Sequence, residues 1–267
     1  MPAPSPRPVQ TPRSTLRLAA GARTDVGAVR SENQDAFGVL PALAIASGEV
    51  AGRVVPQPAV FAVADGMGGH EAGAEASSVA VDAVMSAFGP GFRTQTDRVA
   101  LVRQAVASAN DAVWARATGG LYHRQMGTTC TLLLVADGRA YLGHVGDSRA
   151  YRIRGDQIEQ LSTDHTMGEA ARTDPSLAEI AKTRGHHLTR AIGIRERVEV
   201  DAACAGPVAP GDRFVLCSDG LGPVELGEII RAVHAYPPQE AADWLVALAS
   251  RLGSRDNATA IVVHANA

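Results

Sequence analysis

Thr129-Cys-Thr-Leu-Leu-Leu-Val-Ala-Asp-Gly-Arg-Ala-Tyr-Leu-Gly-His-Val145 contains two apolar runs separated by an Asp-Gly pair. The runs predict strands over Thr129–Ala136 and Ala140–Val145. Asp137-Gly138 between them predicts a tight hairpin, because this pair tolerates the positive φ angles that such a turn needs. Strands joined by a hairpin pair antiparallel, so the segment favours an antiparallel sheet.

Other apolar runs along the chain extend this pattern. Further strands are predicted over Val60–Ala64, Ala150–Ile153, Phe214–Cys217 and Ala260–Val263. Helices are predicted around the valine stripe of residues 99–113 with Thr96 or Asp97 as N-cap, over Ala72–Phe88, and from Pro238 to Leu252 with Gly253 after it. Antiparallel strands with separate helical segments indicate an α+β domain of packed layers.

Composition excludes several classes of protein. Hydrophobic residues make up 46% of the 267 residues, enough for a sizeable core, and the net charge of -3 disfavours a nucleic-acid binder. The chain lacks an apolar stretch long enough to cross a bilayer, and its first residues lack the apolar region of a signal peptide. Cys130, Cys204 and Cys217 show no metal-ligand spacing, which favours buried, reduced thiols in a cytoplasmic protein.

The predicted domain organisation is simple. Residues 1 to about 18 are rich in Pro, Ser and Arg and predict a disordered leader. No composition shift resembles a linker after that, so residues 19–267 are expected to form one domain. Within it, Pro41 to Pro58 is expected to be a long loop or an irregular hairpin.

Aspartates stand at the ends of several predicted strands. Asp65, Asp147 and Asp219 each end an apolar strand segment, and Asp256 comes just before the last strand. A carboxylate is costly to bury unpaired, so acids at such positions tend to be solvated, capping or metal-bound. Asp137-Gly138 shares the letters Val-Ala-Asp-Gly with the Asp65 segment, but a strand follows at once and a plain turn explains it.

The residues after Asp65 differ from a plain turn. Gly66-Met-Gly-Gly-His70 precedes a predicted helix, and so many glycines are best explained by backbone that must approach something closely. If several of the aspartates converge, their repulsion demands a cation. Ligands that are all oxygens select Mg²⁺ or Mn²⁺ over zinc, and no zinc-type His or Cys pair is present.

A paired-metal site would explain the chemistry without a side-chain nucleophile. Two cations held by bridging acids can activate a shared water and stabilise both ends of a phosphoryl transfer. No nucleophile elbow, Cys-x5-Arg loop or Gly-x4-Gly-Lys-Ser/Thr loop occurs in the chain. Arg30 is the best-placed candidate to bind a phosphate, because the planar guanidinium matches phosphate oxygens.

Taken in order, these motifs resemble the metal-dependent Ser/Thr protein phosphatase family, the phosphatase 2C type, in its bacterial form. The resemblance covers about Thr24 to Val263. Its motifs are Thr24-Asp-Val-Gly-Ala-Val-Arg-Ser-Glu-Asn-Gln-Asp35, Phe61-Ala-Val-Ala-Asp-Gly-Met-Gly-Gly-His70, Gly127-Thr-Thr129, Val145-Gly-Asp-Ser-Arg-Ala-Tyr151, Asp164-His-Thr166, Leu188-Thr-Arg-Ala-Ile-Gly193, Leu216-Cys-Ser-Asp-Gly-Leu221 and Arg255-Asp-Asn257.

The resemblance implies a fold and a set of site roles. The fold is a central antiparallel β-sandwich flanked by helices, in α-β-β-α layers. The segment Met167 to His187 corresponds to a mobile flap beside the site. The resemblance implies that Asp65 bridges two Mn²⁺ or Mg²⁺ ions and that the Gly66 carbonyl binds one of them, while Asp219 and Asp256 bind the other. It implies that Asp35 holds a metal-bound water and that Arg30 binds the substrate phosphate. It also implies that Asp147 helps Asp219 to bind a third ion.

Two positions depart from the family pattern. Some members carry an acidic residue where this chain has Gln34, which puts one water-mediated metal anchor in doubt. Eukaryotic members carry a His, thought to be the general acid, where this chain has Met67. The proton donor to the leaving group therefore stays unassigned.

The implied function is hydrolysis of phosphoserine and phosphothreonine in phosphorylated proteins, by attack of a water that bridges two metal ions. A Ser/Thr protein kinase is the implied opposing partner. A regulatory, weakly active or inactive member that binds phosphoproteins is an alternative, although the intact acidic residues argue against it. A hydrolase of small phosphate esters is a second alternative, and a purely structural domain with turn aspartates is a third.

Overall fold

The computed structural model describes residues 16–41, 53–55, 57–68, 70–89, 92, 95–119 and 126–266. The predicted leader of residues 1 to about 18 lies outside these residues, except for its last three. Leu16 and Leu18 are buried in the core, and the first strand begins at Arg17. Two leucines spaced to face the same side of a strand therefore belong to the domain.

The described residues form two antiparallel sheets. The strands are β1 (Arg17–Asp25), β2 (Asp35–Leu40), β3 (Arg53–Val55), β4 (Ala59–Met67), β5 (Gly127–Thr128), β6 (Cys130–Ala136), β7 (Arg139–Val145), β8 (Arg149–Arg154), β9 (Gln157–Gln160), β10 (Asp201–Pro207), β11 (Arg213–Cys217) and β12 (Ala258–Asn266). The first sheet has the order β3-β1-β12-β11-β8-β9, and the second has the order β10-β7-β6-β4-β2 with β5 paired to β4.

The described residues also form six α-helices. They are α1 (His70–Ala87), α2 (Arg98–Thr118), α3 (Met167–Thr173), α4 (Ala178–Arg184), α5 (Leu226–Ala235) and α6 (Pro238–Arg251). One apolar cluster lies between the sheets, a second joins α1 and α2 to the second sheet, and a third joins α5 and α6 to the first. These are the α-β-β-α layers that the resemblance implied, and the α+β prediction is confirmed.

Local signals in the sequence act as expected in three elements. Asp137 and Gly138 adopt φ angles of +54° and +69° in the turn between β6 and β7, as the hairpin prediction requires. The Asp97 side chain accepts a hydrogen bond from the Ala100 N–H at 2.9 Å and caps α2. Beyond the end of α6, Gly253 takes a φ of +87°, which suits the residue that follows a helix.

The segment expected to be a flap is a short helical excursion. It contains α3 and α4, and its side chains are exposed or half-buried. The two ends of the excursion are joined by backbone hydrogen bonds from Met167 N to His187 O and from Gly168 N to Gly185 O, both 2.8 Å. Its mobility stays a prediction.

Other expectations have mixed outcomes. The Pro41–Pro58 region lies largely outside the described residues, apart from β3, which pairs with β1. Cys130 and Cys217 are buried free thiols as expected, but Cys204 is exposed because it lies on β10, the edge strand of the second sheet. Among the described residues, no helix has the length and apolar character needed to cross a membrane.

Candidate metal centre

Strand pairing brings the acidic residues to one end of the sandwich. Asp35, the first residue of β2, lies directly opposite Asp65 near the end of β4. In the facing sheet β11 ends next to the start of β12, with Cys217 opposite Ala260. Asp219 follows β11 closely and Asp256 precedes β12, so both sheets contribute carboxylates to the same site.

Asp35 is held by two hydroxyl groups of the facing sheet. Its Oδ2 accepts hydrogen bonds from Ser218 Oγ and Thr259 Oγ1, both 2.7 Å. Its Oδ1 is buried with no hydrogen-bond partner among the described residues. Burial raises the pKa of Asp35 to about 6, against the two hydroxyl bonds, and the charges of Asp219 and Asp256 raise it further.

Asp65 and Asp219 lie close enough to share a hydrogen bond between their carboxyl groups. Burial is the main cause that raises the pKa of each, and neighbouring carboxylates add to it. The backbone of Asp65 is fixed by Thr129, whose N–H donates to the Asp65 carbonyl at 2.9 Å and whose Oγ1 accepts from the Asp65 N–H at 2.8 Å. The mutual repulsion of the buried Asp65 and Asp219 carboxylates is relieved by protons or by a cation.

Gly66 lies where backbone segments meet at close range. A Cβ at this position would be 2.0 Å from the Gly73 carbonyl oxygen and 2.8 Å from the Gln34 carbonyl oxygen. Its N–H donates to the Gln34 carbonyl at 3.0 Å. The glycine cluster after Asp65 therefore reflects close backbone approach, as the sequence indicated, with the N-terminal turns of α1 as one of the neighbours.

Arg30 reaches the acidic cluster from the loop between β1 and β2. Its Nη2 donates to Asp256 Oδ2 at 2.6 Å, and its side chain is about half exposed. Asn257 holds this loop in place: its Nδ2 donates to the Val26 and Glu32 carbonyls, and its Oδ1 accepts from the Gln34 N–H, each at 2.9 Å. The Arg255-Asp-Asn257 motif thus supplies both an acid and an anchor for the loop that carries Arg30.

Asp147 follows β7 in a turn that His165 holds by two hydrogen bonds. His165 Nδ1 accepts from the Gly146 N–H at 3.0 Å, and the His165 N–H donates to the Gly146 carbonyl at 2.7 Å. Gly146 has a φ of +112° and packs on Thr129, where a Cβ would come within 2.6 Å. Burial, aided by the charges of Asp219 and Asp164, raises the pKa of Asp147 to about 7.

A cavity of about 890 Å³ opens over the acidic cluster. One wall carries the carboxylates of Asp65, Asp147, Asp219 and Asp256 together with Arg30. Another part of the lining is formed by residues between His186 and Glu199, the first two of which belong to the flap segment. Asp35 is not among the lining residues and lies behind the others.

The donor set fits hard divalent cations. It consists of carboxylate oxygens with raised pKa values, an unpartnered buried Oδ1 on Asp35, and close-approaching backbone at Gly66. Oxygen-only sites of this kind suit Mg²⁺ or Mn²⁺, which keep several waters as ligands. Among the described residues no three His, Cys, Asp or Glu side chains form a ready-made ligand set on their own. Water ligands would therefore have to complete the coordination.

The structure brings every predicted site residue into one neighbourhood, and adds supporting residues to which the sequence assigned no role. These are Ser218 and Thr259, which hold Asp35, Asn257, which holds the Arg30 loop, and His165, which holds the Asp147 turn. Ser218, Asn257 and His165 lie inside the quoted motifs, so membership of a motif was the available signal. Thr259 lies inside a strand and carried none.

Comparisons with known proteins agree with this geometry. A family model described as protein phosphatase 2C matches residues 30–262. A serine/threonine phosphatase from Listeria innocua is 32% identical over 91% of this chain and 94% of its own length. The serine/threonine protein phosphatase PstP of Mycobacterium tuberculosis is also 32% identical, over 94% of this chain, which spans only 45% of that protein.

A solved structure adds the metal. The catalytic domain of PstP, crystallised in complex with two manganese ions, has 31% sequence identity and a TM-score of 0.77, and the match covers 95% of this chain and 100% of that one.

Proposed function

This chain belongs to the protein phosphatase 2C family, and we propose that the cavity over its acidic cluster is the active site. The protein is a metal-dependent phosphatase of phosphoserine and phosphothreonine, with Mn²⁺ or Mg²⁺ as cofactor. One observation carries the site assignment. Carboxylates from both sheets converge at the floor of a cavity that also holds an arginine able to bind phosphate.

We assign metal-holding roles to the acidic residues by their place in this cluster. Asp65 and Asp219, already within hydrogen-bonding reach, are the central pair, and Asp256 completes the set on the side of the first sheet. Two divalent ions, when bound, lower the pKa of a shared water and neutralise charge on the transferring phosphoryl group. The carbonyl of Gly66, Asp35 behind the cluster and Asp147 at its rim are the further candidates for holding ions or their water ligands.

Arg30 is proposed to bind the substrate phosphate. The guanidinium now pairs with Asp256, and the pKa of Arg30 is raised by that hydrogen bond and by the acidic charges around it. A cation shared by the carboxylates would weaken this pair, because Asp256 would then face a divalent charge. Arg30 could then turn its two-pronged donor set to the phosphate oxygens, and its half-exposed side chain has the freedom to do so.

The phosphorylated protein substrates must be made by another enzyme. Phosphorylated proteins must be produced by a Ser/Thr protein kinase, and we propose that such a kinase opposes this enzyme. A cytoplasmic location is proposed with it, since kinases draw on the cytoplasmic ATP pool. The free thiols of Cys130, Cys204 and Cys217 accord with a reducing compartment.

The decisive experiment measures hydrolysis of a phosphothreonine peptide with and without Mn²⁺, for the wild type and Asp219→Asn. We expect activity that requires the metal and falls at least about a hundredfold in the variant, because the neutral amide cannot replace a metal-binding carboxylate. Asp156→Asn, at an exposed turn outside the cavity, is the matched control and should keep full activity.

Other results would point elsewhere. A folded protein that binds Mn²⁺ and hydrolyses no phosphopeptide would favour the regulatory alternative. A folded protein that binds no Mn²⁺ would refute the assignment of the acidic cluster as the metal site.

A further inference from the structure

The cavity lining between His186 and Glu199 includes a loop that is anchored at its backbone. Asn110 of α2 is buried, with 2% of its surface exposed. Its Oδ1 accepts from the Gly193 N–H at 2.9 Å, and its Nδ2 donates to the carbonyls of Arg195 and Glu196 at 3.2 and 3.0 Å. The buried Asn110 amide therefore holds the backbone of the segment 193–197 at three residues, Gly193, Arg195 and Glu196. We name this segment the arginine loop.

The side chains of the arginine loop are left free by this anchoring. Ile194, Arg195 and Arg197 are exposed and line the cavity, whereas Glu196 is not among the lining residues. Within the part of the chain that the structure describes, neither guanidinium forms an ion pair or a side-chain hydrogen bond. This contrasts with Arg190 on the same wall, which pairs with Asp201 at 2.7 Å.

The loop therefore presents two unpaired cations and one apolar side chain on a fixed backbone. Both guanidinium groups line the same cavity as the acidic cluster, and Glu199 is the one acidic residue among the lining residues 186–199. Exposed ion pairs give modest affinity, but they select partners by charge at little cost when the backbone is already ordered.

We propose that the arginine loop is a docking surface for acidic residues that flank the phosphorylated residue of a protein substrate. This proposal rests on the proposed active site and adds the substrate class that the site prefers. The phosphoresidue enters the cavity over the acidic cluster, while Asp or Glu side chains a few positions away meet Arg195 and Arg197. Ile194 adds an apolar contact beside them.

The test compares kcat/KM for three phosphothreonine peptides of equal length with acidic, neutral or basic flanks, at saturating Mn²⁺. We expect the wild type to prefer the acidic peptide over the neutral one by about three- to tenfold, as two exposed charge pairs can provide. The preference should fall as salt is raised. The double variant Arg195→Gln/Arg197→Gln should lose it, and Arg195→Glu/Arg197→Glu should prefer the basic peptide.

A small aryl phosphate separates this proposal from the catalytic one. The arginine variants should lose far less activity on it than on the acidic peptide, since an aryl phosphate carries no flanking acidic residues, whereas failure of the proposed active site would abolish turnover of every substrate. Arg231→Gln, an exposed arginine on α5 and outside the cavity, is the control for loss of an arginine charge away from the proposed docking surface. An acidic preference that survives in the double variant, or that is absent from the wild type, would overturn the proposal.

Discussion

Ser218 and Thr259 show how single residues tune the acidic cluster. Both donate to the same oxygen of Asp35, which leaves the other oxygen buried and unpartnered among the described residues. Each hydroxyl is positioned in turn: Thr24 lies 2.8 Å from Thr259 Oγ1, and the Thr259 N–H donates to Ser218 Oγ. A carboxylate fixed in this way offers one oxygen in a set direction, which suits a metal or a water ligand better than a freely rotating acid would.

A second residue, His144, is buried outside the catalytic set and should affect stability through its protonation. Its surface is 0% exposed, its Nε2 lies 3.0 Å from the Thr163 carbonyl and its Nδ1 lies 2.9 Å from Thr131 Oγ1. Because Nε2 faces a carbonyl, it carries the hydrogen of the neutral ring. Burial, and then the neighbouring His165, lower the pKa of His144 to about 4.

The sign of the resulting pH dependence follows from proton binding. Between about pH 6.5 and pH 4 the unfolded state holds a proton on His144 that the folded state lacks, so this histidine reduces stability as pH falls. We expect the destabilisation caused by His144→Gln to be smaller at pH 5 than at pH 8 by about 2 kcal/mol, since the variant escapes this loss. Denaturant unfolding at the two pH values measures it.

A comparison with Gln104→Ala isolates the titration. Gln104 is exposed on α2 and does not titrate, so its substitution should have the same effect at both pH values. If the loss of stability caused by His144→Gln also did not change with pH, His144 would not be a group that folding buries in its neutral form.

At the scale of elements, the β6–β7 hairpin depends on two consecutive residues with positive φ. We expect Gly138→Ala to destabilise the protein by about 1 to 2 kcal/mol, because a Cβ is disfavoured at a φ of +69°. Activity per folded molecule should be unchanged, since the turn lies outside the cavity lining. Urea unfolding together with kcat/KM would measure both effects.

Gly227 offers a matched substitution of the same chemistry. It lies in α5, does not have a positive φ, and a Cβ there would have nothing within 4 Å. Gly227→Ala should therefore be neutral or stabilising by up to about 1 kcal/mol. Equal losses in the two variants would mean that the turn geometry is not what makes Gly138 necessary.

The elements that the sequence predicted well are those whose signal is local. The central strands β4, β6 and β11 are continuous apolar runs, and α2 carries both a valine stripe and an N-cap. The strands are buried on both faces and the helix along one stripe, and this burial dictates their composition. These elements also place Asp65 and Asp219, which explains why the acids at strand ends were visible in the sequence.

Elements whose composition is set by neighbours were not predictable in this way. β1 is rich in Ala and Gly because α6 packs against it so closely that a Cβ on Gly21 would be 2.3 Å from the Gln239 backbone. β10 lies at a sheet edge, has only half-buried or exposed residues and contains a register shift between Cys204 and Gly206, so no alternation marks it. The supporting contact of Thr259 with Asp35 joins residues 224 positions apart, which no local pattern encodes.

At the scale of the whole molecule, the site ties the two sheets together. Asp35 and Asp65 belong to strands of the second sheet, while Asp219 and Asp256 flank strands of the first. Hydrogen bonds from Ser218 and Thr259 to Asp35 cross the same junction. Repulsion among the carboxylates works against these contacts, so a bound cation should stabilise the sandwich as well as the reaction.

We therefore expect Mn²⁺ to raise the melting temperature of the wild type relative to the protein in chelator. A ligand present at about a hundred times its Kd stabilises the folded state by about 2.7 kcal/mol, which corresponds to roughly 5 to 10 °C for a domain of this size. In Asp219→Asn the shift should be much smaller, because a ligand is lost. In chelator the same variant should melt no lower than the wild type, since the amide removes one buried negative charge from the cluster. The burial and repulsion that raise the pKa of Asp219 then no longer destabilise the folded state. Asp156→Asn should keep the full shift, and an equal shift in Asp219→Asn would mean that the stabilising ion binds away from the acidic cluster.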